Sequence, residues 1–120
     1  MDDINLRNYA YLGDAVWELF IRKHTILMTN NSKKLHKITT NFVNTDFQCE
    51  LLHYLEEYLT AEEEDIARRA RNLPIPIGRR AIQTQYRQAT AFEALIGIWY
   101  SSNKQRFDEI IKILEPKIII

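Results

Sequence analysis

The sequence predicts an all-α protein that forms a single domain. Apolar residues recur three or four positions apart along nearly the whole 120-residue chain, which is the spacing of one helix face. No segment carries a convincing strand pattern. Only three glycines and three prolines are present, which argues against a loop-rich chain. A chain of this size can bury its own core, so we expect one domain over residues 1–120.

Hydrophobic periodicity and capping residues predict six helices. The first has apolar residues on two faces, with Leu12 and Leu19 on the second face, so we expect this helix to be central and mostly buried. Thr45 and Thr60 each stand three residues before a side chain that can complete a capping box. In chain order, the predicted helices span residues 5–28, 32–42, 45–59, 60–72, from between 79 and 84 to 102, and 103–114.

Proline and glycine predict where helices stop. Two prolines and a glycine fall within residues 74–78, and a helix does not continue through such a segment. We therefore expect a mobile loop from Leu73 to Arg80. Pro116 is expected to end the last helix for the same reason.

Two helical segments, residues 11–18 and 90–97, place an acid within an apolar run. The acids are Asp14 and Glu93. Burying a lone carboxylate is costly unless something pairs with it, and two such acids on two helices can share a divalent cation. Mg²⁺ is typically held by one or two carboxylates, with water and substrate phosphate completing its shell. Asp14 and Glu93 are therefore candidate metal ligands. Glu18 is open to interpretation as a ligand, a hydrogen-bond acceptor near the ion or a surface charge.

These segments resemble the two signature helices of the ribonuclease III endonuclease domain. Residues 11–18 are similar to its Glu-Phe-Leu-Gly-Asp-Ala/Ser-Val-Leu pattern, and residues 90–97 are similar to its Asp-Ala-Phe-Glu-Ala-Leu-Ile-Gly pattern. Residues 69–72, followed by a loop and then residues 86–93, narrow the resemblance to Mini-ribonuclease III. This short branch of the family has no separate double-stranded-RNA-binding domain. The resemblance covers essentially the whole chain.

The resemblance implies an endoribonuclease that cleaves double-stranded RNA and leaves 5′-phosphate and 3′-hydroxyl ends. Asp14 and Glu93 would be its catalytic residues and would bind Mg²⁺, for which Mn²⁺ can substitute. The short branch is associated with maturation of the large-subunit ribosomal RNA precursor, so pre-ribosomal RNA is the expected substrate and large-subunit ribosomal proteins are candidate partners. The family acts as a homodimer, and Tyr11 lies where the family has an aromatic side chain at the dimer seam.

Two acids of the larger ribonuclease III enzymes are absent from this sequence. Ala10 and Thr90 stand at those positions, and the short branch shares both replacements. We therefore expect a thin ligand set, completed by water and phosphate oxygens, and metal binding that tightens when RNA arrives.

The distribution of charge predicts an RNA-binding segment even though the net charge is zero. Residues 66–92 contain six arginines and no acid. A solvated helix surface is the simplest alternative, but the segment leads directly into the helix of Glu93, and arginine suits bidentate contacts with phosphate. The candidate RNA-binding residues are Arg69, Arg71, Asn72, Arg79, Arg80 and Arg87.

The composition of the chain also predicts its cellular compartment. The chain has one cysteine, no secretory signal and no apolar run of the ~20 residues that a membrane span needs, so we expect a cytoplasmic protein with no membrane association. Two other interpretations stay open. One is a catalytically weak or inactive relative that binds RNA or the ribosome, and the other is an unrelated all-helical interaction module.

Overall fold

The computed structural model describes residues 3–75, 78 and 83–118, and these residues form helices with no strand among them. A short 3₁₀ turn, Glu56–Tyr58, follows the third helix. The predicted all-α fold class is confirmed. The helices are α1 (Asp3–Thr25), α2 (Ser32–Val43), α3 (Thr45–Leu55), α4 (Ala61–Arg71), α5 (Gln83–Ser102) and α6 (Lys104–Ile118).

Side-chain caps fix where the helices begin. Thr60 and Glu63 form the predicted capping box at the start of α4, each side chain bonding the other residue's backbone N–H. Helix α3 is capped by Asn44, whose Oδ1 accepts a hydrogen bond from the N–H of Phe47 at 2.8 Å. The prediction of Thr45 as this cap was wrong by one residue, because asparagine caps at least as well as threonine and comes first.

Two predicted helix ends were also wrong. Helix α3 stops at Leu55, four residues early, where the 3₁₀ turn begins. Helix α6 continues through Pro116 to Ile118. A proline inside a helix costs roughly 3 kcal/mol because it removes one backbone hydrogen bond. Leu114 and Ile118 are buried on either side of this proline, and each such burial is worth roughly 1.5–3 kcal/mol, which offsets that cost.

Helix α5 lies at the centre of the fold and packs against α1, α3, α4 and α6. On α1, three large apolar side chains are fully buried: Leu6, Trp17 and Ile21. The α5 residues of the core are Ala89, Ala91, Phe92, Ala94, Leu95, Ile96, Gly97 and Trp99. Because α5 is covered on several sides, nearly every residue of its second half is apolar or small, and Glu93 is the one acid among them.

Two glycines let α1 and α5 meet at backbone contact. A methyl group on Gly13 would overlap the carbonyl oxygen of Glu93, and a methyl group on Gly97 would overlap the carbonyl oxygen of Tyr9. Each helix therefore presents its glycine to the backbone of the other. Any larger residue at either position would push the two helices apart.

A buried ion pair joins α4 to α6. The guanidinium of Arg106 donates to both carboxylate oxygens of Glu63, at 2.7 and 2.9 Å, and the indole of Trp99 donates to the same carboxylate at 2.9 Å. Burial, the largest single influence, opposes ionisation of Glu63, but the hydrogen bonds from Arg106, the backbone of Thr60 and Trp99, with the charge of Arg106, together outweigh it and lower the pKa of Glu63. The pair fixes α6 to the body of the protein.

The second face of α1 is exposed, so the prediction of a mostly buried helix was wrong for that face. Tyr11 is 85% exposed and Leu19 is 60% exposed. These residues and Ile26 follow one stripe of α1 and its C-terminal extension, and no described element of the chain covers them. The stripe does not make α1 a membrane helix, because none of the described helices combines the length and the hydropathy that crossing a bilayer requires.

We predict that Gly13→Ala and Gly97→Ala each destabilise the protein by about 3 kcal/mol or more, since the added methyl meets rigid backbone rather than a movable side chain. Gly78→Ala is the matched control, because a methyl there meets no atom within 4 Å. Urea unfolding followed by circular dichroism measures all three. Equal stability of the three variants would mean that α1 and α5 do not cross at backbone contact.

Candidate metal centre

The glycine crossing sets Asp14 and Glu93 beside each other. Gly13 packs on the backbone carbonyl of Glu93, and Asp14 is the next residue along α1. The two carboxyl groups are joined by a hydrogen bond. Asp14 is exposed to solvent, whereas Glu93 is half-buried. The structure therefore brings the two predicted ligands together, with one side of the pair open to water.

The environment of Glu93 strongly favours its protonated form. Burial, the hydrogen bond that protonated Glu93 donates to Asp14 and the negative charge of Asp14 together raise the pKa of Glu93 from 4.5 to about 9, against a smaller opposing effect of Gln48. Two carboxylates can share a hydrogen bond only if one of them carries a proton. At neutral pH the pair therefore holds one proton and one negative charge.

This pair suits a hard divalent cation. Both ligand groups offer carboxylate oxygens, which Mg²⁺ and Mn²⁺ prefer. A cation would take the place of the shared proton and remove the repulsion that raises the pKa of Glu93. Among the described residues no group of three or more His, Cys, Asp or Glu side chains could hold a metal, so the protein would supply two acids at most.

Three neighbouring positions show why the ligand set is thin. Ala10 is buried and has no donor atom. The hydroxyl of Thr90 donates to the carbonyl of Tyr86, one turn back in its own helix, at 2.9 Å. Glu18, one turn after Asp14, faces Arg22 at 3.5 Å in an exposed pair. Glu18 therefore has a surface partner of its own.

Gln48 is a residue of this site that the sequence analysis missed. It is only 3% exposed, and it lowers the pKa of the nearby carboxyl group of Glu93, against the larger opposing effects of burial and Asp14. Its Nε2 also donates to the carbonyl of Val43 at 3.3 Å. A signal was present in the sequence, because Gln48 lies three and four positions before Leu51 and Leu52, on the apolar face of α3. A polar side chain on a buried face needs a partner, and here the carbonyl of Val43 is the hydrogen-bond acceptor.

The predicted arginines are largely engaged within the protein. Arg68 and Arg69 lie 2.8 and 4.0 Å from Asp65, and Arg71 lies 3.7 Å from Glu64, so these three face acids of their own helix. Asn72 caps the end of α4, its backbone N–H bonding carbonyls of the last turn, and is exposed.

Arg87 links the first half of α5 to the end of α4 by hydrogen bonds. It donates to the carbonyls of Arg71 and Leu73 at 2.6 and 3.3 Å. Arg79 and Arg80, together with residues 76 and 77 of the predicted mobile loop, lie outside the described residues. Contact of any of these side chains with RNA stays a prediction.

A second basic segment was missed. Residues 19–45 contain no acid but five cations: Arg22, Lys23, Lys33, Lys34 and Lys37. Of the described residues, no carboxylate lies within 4.0 Å of any of the four lysines, which are exposed. Lys33, Lys34 and Lys37 lie on the solvent side of α2. The carbonyl of Val43, the last residue of α2, accepts a hydrogen bond from Gln48. The absence of acids from residues 19–45 is the sequence signal that could have revealed this basic segment.

Comparison with known proteins identifies similar sequences and structures. The Ribonuclease III domain family matches residues 7–104. A Mini-ribonuclease 3 of Gloeobacter violaceus is 38% identical over 96% of this chain and 89% of its own length. A Mini-ribonuclease 3 of Thermosynechococcus vestitus is 39% identical over 91% of this chain and 72% of its own length. A crystal structure of a Fusobacterium nucleatum protein superimposes with a TM-score of 0.82 at 31% identity, covering 97% of each chain.

We predict that the metal-free protein loses stability as the pH rises from 4.5 towards 9, the interval over which the pKa of Glu93 is raised. Folded Glu93 holds its proton more tightly than unfolded Glu93, so the unfolded state binds fewer protons in this interval and the free energy of unfolding falls, by up to about 1.4 kcal/mol per pH unit. Glu93→Gln should lack this decline.

Urea unfolding in the presence of a chelator, repeated across this pH range, measures the difference between wild type and Glu93→Gln. Because all other groups titrate alike in the two proteins, the difference isolates Glu93. Parallel stability curves would show that the carboxyl group of Glu93 titrates normally.

Proposed function

The chain belongs to the ribonuclease III family and is an endoribonuclease, and we propose that it cleaves double-stranded RNA with a divalent ion, Mg²⁺ in the cell, held by Asp14 and Glu93. The observation that carries this proposal is the hydrogen-bonded acid pair at the glycine crossing. The pair offers carboxylate oxygens as ligands, carries one negative charge at neutral pH and is open to solvent on one side. These properties suit an ion that must also contact a phosphate. Mn²⁺ offers the same preference for oxygen and should substitute.

In this mechanism the two acids and the two glycines of the helix crossing have distinct roles. When bound, the ion supplies Lewis-acid polarisation of the scissile phosphate and activation of water for phosphodiester hydrolysis. Asp14 presents its carboxylate from the solvent side, where a phosphate can approach. Glu93 gives up the shared proton as the ion binds, so that both acids are charged. Gly13 and Gly97 keep the two helices, and hence the two carboxylates, at a fixed separation.

The substrate proposal rests on local charge. A duplex of A-form RNA is recognised mainly through its phosphates and 2′-hydroxyls. The α4–α5 segment offers Arg69, Arg71, Asn72, Arg79, Arg80 and Arg87, as the sequence suggested. We add Lys33, Lys34 and Lys37 of α2, which are exposed and have no acidic partner within 4.0 Å in the part of the chain that the structure describes. Arg69 and Arg71 must first leave Asp65 and Glu64.

The exposed stripe of α1 supports a homodimer. Tyr11, Leu19 and Ile26 are large apolar side chains on one line, and Leu27 and Met28 extend it. A contiguous apolar surface of this kind usually marks an interface. A second copy of the chain would cover it symmetrically and place Tyr11 at the seam. It would also double the basic surface and supply a second acid pair for the second RNA strand.

The proposal extends to the role of the protein in the cell. We propose that the 120 residues act as one catalytic domain in the cytoplasm, on the precursor of large-subunit ribosomal RNA, where large-subunit ribosomal proteins are candidate partners. The shared core of α1, α3, α4, α5 and α6 supports a single domain. A catalytically weak RNA-binding relative is the alternative, and the two-acid ligand set is the observation that favours it.

We predict that Asp14→Asn and Glu93→Gln each lower the cleavage rate of labelled duplex RNA by at least about a hundredfold at saturating Mg²⁺, because each removes one of two charged ligands. RNA binding and the fold should persist. Glu18→Gln is the matched control on the same helix and should keep most of the activity. No cleavage by the wild type at any metal concentration would favour the alternative function, whereas metal-independent cleavage would exclude the proposed role of the ion.

We predict that changing Lys33, Lys34 and Lys37 together to alanine weakens binding to unrelated duplexes equally and flattens the salt dependence of the binding constant by about one unit per lost phosphate contact. Arg68→Ala with Arg69→Ala should have a smaller effect, since both arginines already face Asp65. Removing Lys104, Lys112 and Lys117 from α6 controls for net charge. A salt slope that none of these changes alters would place the RNA elsewhere.

We predict a dimer in solution, with about twice the 14.3 kDa mass of the chain. Leu19→Lys should convert it to a monomer, because a charge in the middle of the stripe cannot be buried unpaired. Sedimentation equilibrium measures both masses. A wild-type protein that sediments only as a 14.3 kDa species at micromolar concentration would exclude the proposed assembly.

A further inference from the structure

Arg7 is an exposed arginine of α1 to which the proposed chemistry gives no role. Its Nη2 donates to the carbonyl of Pro74 at 3.2 Å, in the segment that follows α4. A guanidinium has five N–H donors, so one bond to an exposed carbonyl leaves most of them for another acceptor. Arg7 can therefore bind a further group without releasing Pro74.

Arg7 shares a shallow depression with two other arginines. Arg71, at the end of α4, and Arg87, in the first half of α5, line the same depression, and so does Thr90. Of the three arginines, only Arg71 has an acidic neighbour among the described residues, Glu64 at 3.7 Å. Cations from three helices thus meet at one place, and arginine suits the bidentate contacts that a phosphate offers.

The acceptors that hold Arg87 are neutral. Its Nη1 donates to the carbonyls of Arg71 and Leu73 at 2.6 and 3.3 Å. Turned so that its oxygen faces Arg87, the amide of Gln83 accepts from Nη2 and Nε at 3.1 and 3.3 Å. Of the side chains that the structure describes, no carboxylate lies within 4.0 Å of Arg7 or Arg87. A half-buried cation such as Arg87, held only by neutral groups, favours an anion beside it.

The depression lies beside the acid pair. Arg7 precedes Asp14 by seven residues of α1, about 10 Å along the helix axis. Thr90 precedes Glu93 by three residues of α5, about 5 Å along its axis. An RNA strand that presents one phosphate to the acid pair therefore carries a neighbouring phosphate within reach of the depression. Phosphate contacts of this kind fix the register of a nucleic acid on a protein.

We propose that Arg7, together with Arg71 and Arg87, forms a subsite for an RNA backbone phosphate that neighbours the scissile one. This inference rests on the proposed function, because the acid pair sets where the scissile phosphate lies. It adds a binding residue on α1 that lies outside both basic segments of the sequence. The contact is made equally in the bound substrate and in the transition state, so it contributes to substrate affinity and not to the chemical step.

The test combines variants of Arg7 with RNA duplexes in which one phosphate at a time, near the cleavage point, is replaced by a neutral methylphosphonate. Binding is measured in chelator. We expect Arg7→Ala and Arg7→Gln to weaken binding of the unmodified duplex about fivefold, and Arg7→Lys to keep most of the affinity, because the charge carries the effect. At one modified position, wild type should lose the same factor while Arg7→Ala loses nothing further.

Lys112→Ala is the matched control, because Lys112 is an exposed cation of α6 with no described carboxylate within 4.0 Å. It should change affinity less than about twofold, and equally for every duplex. Methylphosphonates that weaken Arg7→Ala as much as wild type at every position would overturn the proposal. So would wild-type affinity in Arg7→Gln beside weak binding in Arg7→Ala, since the bond to Pro74 would then be the contribution. Loss of the fold in Arg7→Ala would overturn it too.

Steady-state cleavage in Mg²⁺ separates this proposal from the proposed function. Arg7→Ala should raise KM about fivefold with kcat unchanged, whereas Asp14→Asn should lower kcat. If Asp14→Asn is inactive while Arg7→Ala keeps the wild-type KM, only the subsite fails. If Asp14→Asn cleaves like wild type, the acid pair is not the reaction site and both proposals fail.

Discussion

Backbone contact between α1 and α5 at Gly13 and Gly97 is the constraint on which the rest of the structure depends. Each glycine costs the helix about 1 kcal/mol of intrinsic propensity relative to alanine, and the close packing that only glycine permits at this crossing offsets that cost. What the pair of glycines provides is proximity. With Gly13 lying on the carbonyl of Glu93, the neighbouring Asp14 reaches the Glu93 carboxyl group. A crossing one methyl group wider would separate the two acids.

The same proximity makes the acid pair unfavourable in the folded protein without a cation. Burial and the charge of Asp14 both disfavour ionised Glu93, and the fold tolerates this because it needs only one protonated carboxyl group. Natural active sites commonly keep such a locally destabilising arrangement where function requires it. The contrast with Glu63 is informative. Glu63 is also shielded from water, but Arg106 supplies a permanent positive partner, and its pKa falls. One acid is committed to structure, and the other remains available to a ligand.

Much of this could be read from the sequence, for reasons that particular residues make plain. The capping box at Thr60 and the 3.6-residue apolar period are local signals, so the fold class and most helix bounds followed from them. The pairing of Asp14 with Glu93 is not local, and it was predicted through the two signature segments together. Gln48 was missed because an isolated polar residue on an apolar face does not reveal its partner. The exposure of Leu19 was missed because periodicity shows which faces are apolar and not what covers them, whereas Tyr11 was expected at the dimer seam from the resemblance alone.

The electrostatics of the chain show why the position of charge matters more than its sum. The arginines of α4 follow a run of acids on the same helix, and in the folded protein Arg68, Arg69 and Arg71 lie against Asp65 and Glu64. Their charge is therefore partly cancelled within one helix. The lysines of α2 have no such neighbours, so a chain of zero net charge still presents a positive surface there. Helix α2 ends at Val43, whose carbonyl accepts a hydrogen bond from the amide of Gln48, and Gln48 is near enough to Glu93 to lower its pKa, so this positive helix ends close to the acid pair. A phosphate backbone drawn to α2 would approach the acid pair from that side, bringing the oxygens that a two-acid metal site lacks.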